Sequence, residues 1–298
     1  MSVRPVKQVL HTKPALEGAG VKLQRAFGFG NTSEFDPFLL LDDFRNENPD
    51  DYLAGFPWHP HRGIETITYV LAGNVAHGDS LGNRGNLGAG DVQWMTAGSG
   101  ILHQEMPQGD AHGRMHGFQL WANLPASLKM TKPRYQDVAA RDIPDVVDDD
   151  GTLVRVICGE FWGRKGPVEG VAADPRYLDV SVPPGRRKRL PVERSRHAFA
   201  YVFAGSGTFR DASQPRAVQN ELTGAADGGE AGNRSLVLFD RGDEVDVQAG
   251  DEGIRFLLVS GRPLEEPVAW YGPIVMNTEE ELRQAYAELR DGTFIKSR

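Results

Sequence analysis

Short runs rich in β-branched and aromatic residues, each closed by glycine or proline, constrain the fold of this chain most. Ile64-Glu65-Thr66-Ile67-Thr68-Tyr69-Val70-Leu71 ends at Ala72-Gly73-Asn74, and Asp91-Val92-Gln93-Trp94-Met95 follows the turn Gly88-Ala89-Gly90. Further runs lie at 177–182, 200–203, 235–239 and 254–259. With 35 glycines and 19 prolines scattered over 298 residues, few stretches keep a helical period. A series of short strands buries its apolar faces when sheets double or close, so sandwich or barrel domains are predicted. The length suits two domains, and 40 % apolar residues supply their cores.

An internal repeat supports that count. Tyr69-Val70-Leu71-Ala72-Gly73 returns 132 residues later as Tyr201-Val202-Phe203-Ala204-Gly205, and Gly90-Asp91 returns 152 residues later as Gly242-Asp243. An insertion explains the difference, and the Gly-, Ala- and Asn-rich stretch 211–233 is the candidate, expected to be a mobile loop. Two copies of one β-domain are predicted, over 1–140 and 151–298, meeting in the acidic stretch 141–151. That stretch lacks the spacing and bidentate Glu of a calcium loop and is expected to be a solvated linker. One helix is legible near the end. Thr278 and Glu281 have capping-box spacing, Leu282, Ala285, Tyr286 and Leu289 form an apolar stripe, and Gly292 is a stop.

The charge balance narrows the partners. With 33 basic and 41 acidic residues the net charge is −8, which gives no general attraction to nucleic acid or anionic membranes. The basic run Arg186-Arg187-Lys188-Arg189 follows Pro183-Pro184-Gly185 and is expected to be a solvated turn or edge strand. Cys158, the one cysteine, rules out an internal disulfide and a thiolate zinc site, and its apolar run predicts a buried strand. The first ten residues lack the apolar core of a secretory signal, and no window is long and apolar enough to span a membrane, so a cytoplasmic protein is expected.

Two short pairs carry the chemistry: His59-Pro60-His61 and His103-Gln104-Glu105. On a strand, i and i+2 share a face. Two such strands side by side would aim three imidazoles and one carboxylate at a common point, a set suited to a first-row divalent metal. Pro57, Trp58, Ile101 and Leu102 surround the pairs with apolar bulk. Glu65 competes for the carboxylate position: an unbroken strand from His59 would put it on the same face, whereas a bulge at Gly63 would turn it away. Spacing leaves Glu65 and Glu105 both open. His77 and His116 are candidates for supporting or pocket groups, and His11, His112 and His197 are read as structural or solvated.

The residues together resemble the pirin family of bicupins. The resemblance runs through Phe35-Asp36-Pro37-Phe38-Leu39-Leu40-Leu41-Asp42-Asp43-Phe44 and Gly55-Phe56-Pro57-Trp58-His59-Pro60-His61-Arg62-Gly63-Ile64-Glu65-Thr66. It continues through 90–107, Gln119-Leu120-Trp121-Ala122-Asn123-Leu124-Pro125 and Gly272-Pro273-Ile274-Val275-Met276-Asn277-Thr278. It implies an all-β chain of two cupin (jelly-roll) barrels with a C-terminal helix and a metal in the first barrel alone. The second repeat carries no His-x-His pair, in agreement. The resemblance implies that His59, His61, His103 and Glu105 hold the metal, Fe2+ or another divalent transition metal, and so selects Glu105 over Glu65. It also implies quercetin 2,3-dioxygenase activity: the flavonol 3-hydroxyl gives up its proton with Glu105 as acceptor, and dioxygen opens the ring with release of carbon monoxide. Phe56, Trp58, Met95 and Met106 are candidate pocket walls. The alternative implied by other pirins is a metal- or redox-sensing regulator that binds a transcription factor or metabolic enzyme and turns nothing over.

Overall fold

Gly63 decides where the first barrel divides. Its φ of +77° suits glycine, and the chain passes there from one sheet to another. Phe56–His61 precedes the turn and lies in a four-stranded antiparallel sheet, in the order Phe56–His61, Ile101–Gln108, Asn74–Asp79, Arg84–Leu87. Ile64–Ala72 follows it and is the third of seven strands, in the order Arg134–Val138, Val92–Thr96, Ile64–Ala72, His116–Asn123, Phe38–Asp43, Val21–Phe27, Lys13–Glu17. The two sheets face each other, with Thr68 and Gln119 of the larger hydrogen-bonded to Glu105 of the smaller. This is the double-sheet cupin barrel, seen in a computed structural model that describes residues 1–209 and 230–296.

The second barrel is built on two long strands, His197–Phe209 and Glu244–Gly261, which pair along most of their lengths. Glu244–Gly261 also pairs with Arg187–Pro191 through its first residues and with Arg176–Val182 through its last. Its interior is filled by Val156, Leu178, Val180, Val202, Phe256 and Leu258, each 2 % exposed or less. The repeat legible in the sequence has a physical cause. Gly73 (φ +74°) and Gly205 (φ +65°) each end their Tyr-Val-x-Ala-Gly run where a Cβ would meet a carbonyl oxygen, that of Gln108 at 2.5 Å and that of Gly253 at 2.1 Å.

Strand pairing, rather than chain order, defines the two compact units. Met1–Thr12 lies with the second barrel, where Val6–His11 pairs with Ser235–Phe239. The chain from Leu264 onward lies with the first. The units therefore differ from the expected spans 1–140 and 151–298 at both ends. The helix Glu279–Arg290 has the expected capping box between Thr278 and Glu281. It packs Leu282 and Ala285 on Ala269, Ile274, Met276 and Phe294, and Val275 joins the first-barrel core of Leu39, Ile64, Met95, Ala97 and Ile101.

The acidic stretch is not simply a solvated linker. Asp145–Val147 is an edge strand paired with Leu153–Cys158, and Asp148 accepts from the backbone of Asp150 and Thr152. From Arg187 the basic run does form an edge strand, and three of its four charges are paired: Arg187 with Asp246, Arg189 with Glu244 and Asp246, Lys188 with Asp148. Cys158 is buried at a strand end, facing the Val168 carbonyl. Of the stretch 211–233, residues 211–229 lie outside the described residues, and Glu230–Gly232 is a strand. Among the described residues no helix is long and apolar enough to cross a membrane.

Candidate metal centre

His59 and His103 sit directly opposite each other on neighbouring strands. The alternating burial of Ile101–Gln108 turns His103 and Glu105 to the same inner face. His59 Nε2 stands 3.1 Å from His61 Nε2 and 2.9 Å from His103 Nε2. Nitrogens bound cis to one ion at about 2.1 Å would stand about 3.0 Å apart, so His59 is spaced from each of the other two as a neighbouring ligand at a right angle would be.

The outer ring nitrogens fix which atoms face inward. His59 Nδ1 is 2.9 Å from the Pro57 carbonyl oxygen and His61 Nδ1 is 3.1 Å from that of Pro273. A carbonyl only accepts, so each Nδ1 carries a proton and Nε2 is the atom turned inward. Burial first, and then the neighbouring His59, hold His61 and His103 well below the usual 6.5, so both are neutral at pH 7. Lone pairs facing one another at this distance repel unless a cation lies between them. The donor set thus fits a divalent metal, and imidazole suits iron, nickel, copper or zinc. Among the described residues this is the group of metal-competent side chains whose ligand atoms all lie within 4.8 Å of each other.

Glu105 stands beside this group. Its Oε2 lies 4.0 Å from His103 Nε2. Thr68 Oγ1 donates to Oε1 at 3.0 Å, and Gln119 Nε2 reaches Oε1 at 3.1 Å and Oε2 at 2.9 Å. Glu65 is placed elsewhere. It belongs to the larger sheet, paired with Thr96, whose hydroxyl donates to its Oε1 at 2.7 Å. Strand alternation turns it to the face opposite Thr66 and Thr68. The break at Gly63, which spacing alone left open, separates Glu65 from the histidine strand.

A cleft of about 530 Å³ opens beside His59 and His61. Phe56 and Trp58 line it, as expected of them, together with Phe29, Gln119, Trp121 and Trp270. Trp121 stands edge-on to His61 with ring centroids 5.1 Å apart, and Trp270 lies 5.1 Å from Phe29 and 6.0 Å from Trp121. Toward another part of the lining, Arg25 forks onto Asp42 at 2.8 and 2.7 Å and reaches Glu17 at 2.8 Å. Met95 is instead a core residue, and Met106 lies against Gly55 outside the lining. His77 is buried behind the site, 2.9 Å from Gln93 and stacked on Tyr135. His116 packs edge-on to Phe118, and His112 sits on an exposed turn. No sequence pattern pointed to Trp270 or to the role of the Pro273 carbonyl, which arrive from more than 200 residues beyond His61. Gln119 and Trp121 were legible as motif members only.

The chain is similar to known proteins. Residues 20–122 match the family described as Pirin, and residues 177–295 match the Pirin C-terminal cupin domain. The chain is 44 % identical to a pirin-like protein of Caulobacter vibrioides, over 99 % of this chain and all of that one. It is 38 % identical to human pirin, over 92 % of this chain and 88 % of that one. A crystal structure of quercetin 2,3-dioxygenase from Acinetobacter baumannii superposes with a TM-score of 0.86 at 31 % identity, covering 98 % of this chain and 99 % of that one.

Proposed function

The chain belongs to the pirin family, and we propose that it is an iron-dependent dioxygenase that opens flavonols of the quercetin type. The observation that carries this reading is the gathering of three imidazoles beside an aromatic cleft of about 530 Å³ that His59 and His61 line, a volume in the range of sites that take a three-ring flavonol. The likeness to the Acinetobacter baumannii quercetin 2,3-dioxygenase supports the same substrate class. His59, His61, His103 and Glu105 are the proposed metal ligands, with Glu105 exchanging its Gln119 hydrogen bonds for the metal. The bound metal would supply Lewis acidity and a site for dioxygen chemistry.

The protein's own groups do the rest. Trp121, Trp270 and Phe29 take the planar ring system on their faces. Glu105 Oε2 accepts the proton of the flavonol 3-hydroxyl. Thr68 holds that carboxylate in register while the proton is on it. The apolar walls keep water from the deprotonated substrate. One flavonol and one dioxygen leave as a ring-opened ester and carbon monoxide. The test is aerobic incubation of iron-loaded protein with quercetin, following loss of flavonol absorbance. Turnover by the wild type and none by His59→Ala is expected. Equal rates in the two would overturn the reading, and metal binding without turnover would leave a metal-sensing regulator in its place.

A further inference from the structure

Two buried basic side chains converge on one turn beside the candidate metal centre. Arg62 and Lys129 are each 2 % exposed. Burying such groups is costly unless their hydrogen bonds are made, so their shared destination calls for a reason. Both bind the turn His61-Arg62-Gly63 to the C-terminal segment. Lys129 Nζ donates to the Gly63 carbonyl at 2.9 Å, to Asn123 Oδ1 at 2.6 Å and to the Val275 carbonyl at 3.0 Å. Arg62 Nε donates to the Ser99 carbonyl and Nη2 to the Phe294 carbonyl, both at 2.8 Å. Its Nη1 pairs with Glu288 at 2.8 Å, and the guanidinium lies 4.1 Å from the centre of the Phe294 ring.

The backbone makes the same connection. Val275 N–H donates to the Arg62 carbonyl at 3.1 Å, and the Pro273 carbonyl accepts from His61 Nδ1. A Cβ on Gly63 would stand 1.9 Å from the Val275 oxygen, so the two segments touch with no room for a side chain. His61, Arg62 and, through Lys129, Gly63 are thus tied to Pro273, Val275, Glu288 and Phe294.

We infer that the C-terminal segment 264–296 is a positioning element of the metal centre: docked through Arg62 and Lys129, it fixes the turn that carries His61 and thereby sets metal affinity. This rests on the reading of the three histidines as metal ligands. Groups that orient a ligand from outside typically contribute about 10- to 100-fold to affinity. Arg62 and Lys129 act through His61 and touch no substrate.

The test is calorimetric titration of the full chain with Ni2+, in wild type, Lys129→Met and Glu288→Gln, with the melting temperature of each metal-free protein measured alongside. Lys129→Met is expected to weaken Ni2+ binding about tenfold, and Glu288→Gln to weaken it by less. The visible spectrum of the Co2+-loaded variants is expected to shift, which a role in stability alone would not produce. If Lys129→Met does not fold, Glu288→Gln decides, since it alters a helix side chain remote from the histidines. Affinities within about twofold of wild type, with lowered melting temperatures, would reduce both residues to structural roles and overturn the inference. A wild type that binds no Ni2+ would overturn the metal reading itself and the inference with it.

Discussion

At His61 two tasks are divided between two nitrogens: Nδ1 holds the Pro273 carbonyl, and Nε2 faces the other imidazoles. Glu105 divides its tasks in a similar way, with three hydrogen bonds from Thr68 and Gln119 to its two oxygens. The proposed proton acceptor is thus held by neutral donors, and its removal should leave the histidines in place. Glu105→Gln is expected to keep bound metal, measured by atomic absorption, while kcat for the flavonol falls about 100-fold. Loss of the metal along with activity would make Glu105 chiefly a ligand. At this scale the sequence was informative where geometry is local. The i, i+2 spacing placed His59 beside His61 and His103 on the inner face, because strand alternation is fixed by the backbone. It was silent on which carboxylate turns inward, because that depends on the φ of Gly63, and on the partner of His61, because any residue offers a carbonyl.

Among the elements, the glycines that end the repeated strands and the helix near the C-terminus carry separate consequences. Gly205→Ala places a methyl 2.1 Å from the Gly253 oxygen at a φ of +65°. Urea unfolding should show a loss of more than about 1 kcal/mol, and an unchanged midpoint would contradict the close approach. In the helix, burial raises the Glu288 carboxyl, but hydrogen bonds from Lys296, Arg62 and Gln284 outweigh it and hold it down at about 2. A carboxyl lowered by folding stabilises the protein above its ordinary value of 4.5, and that contribution disappears as pH falls toward 2. The melting temperature of metal-free wild type should therefore fall more steeply across this window than that of Glu288→Gln. Parallel curves would deny Glu288 its ion pairs. The helix was legible because its capping box and apolar stripe are local patterns. The edge strand Asp145–Val147 was not, because its acidic sequence forms a strand only through pairing with Leu153–Cys158.

The molecule as a whole repeats one barrel and gives it two interiors. In the second, valine, leucine and phenylalanine fill the space between the strands. In the first, histidines, Glu105 and Gln119 stand where the facing sheets meet, beside a cleft walled by tryptophans. The repeat of Tyr-Val-x-Ala-Gly announced the shared architecture, and the absence of a second His-x-His pair announced the asymmetry. The placement of both chain ends was out of reach, since it follows from long-range pairing that no local pattern records. The proposed activity is ring cleavage of a flavonol in the first barrel. Carbon monoxide released per quercetin consumed, in the headspace above iron-loaded protein, tests this most directly. One molecule of carbon monoxide per flavonol is the predicted result, and loss of quercetin without carbon monoxide would contradict it.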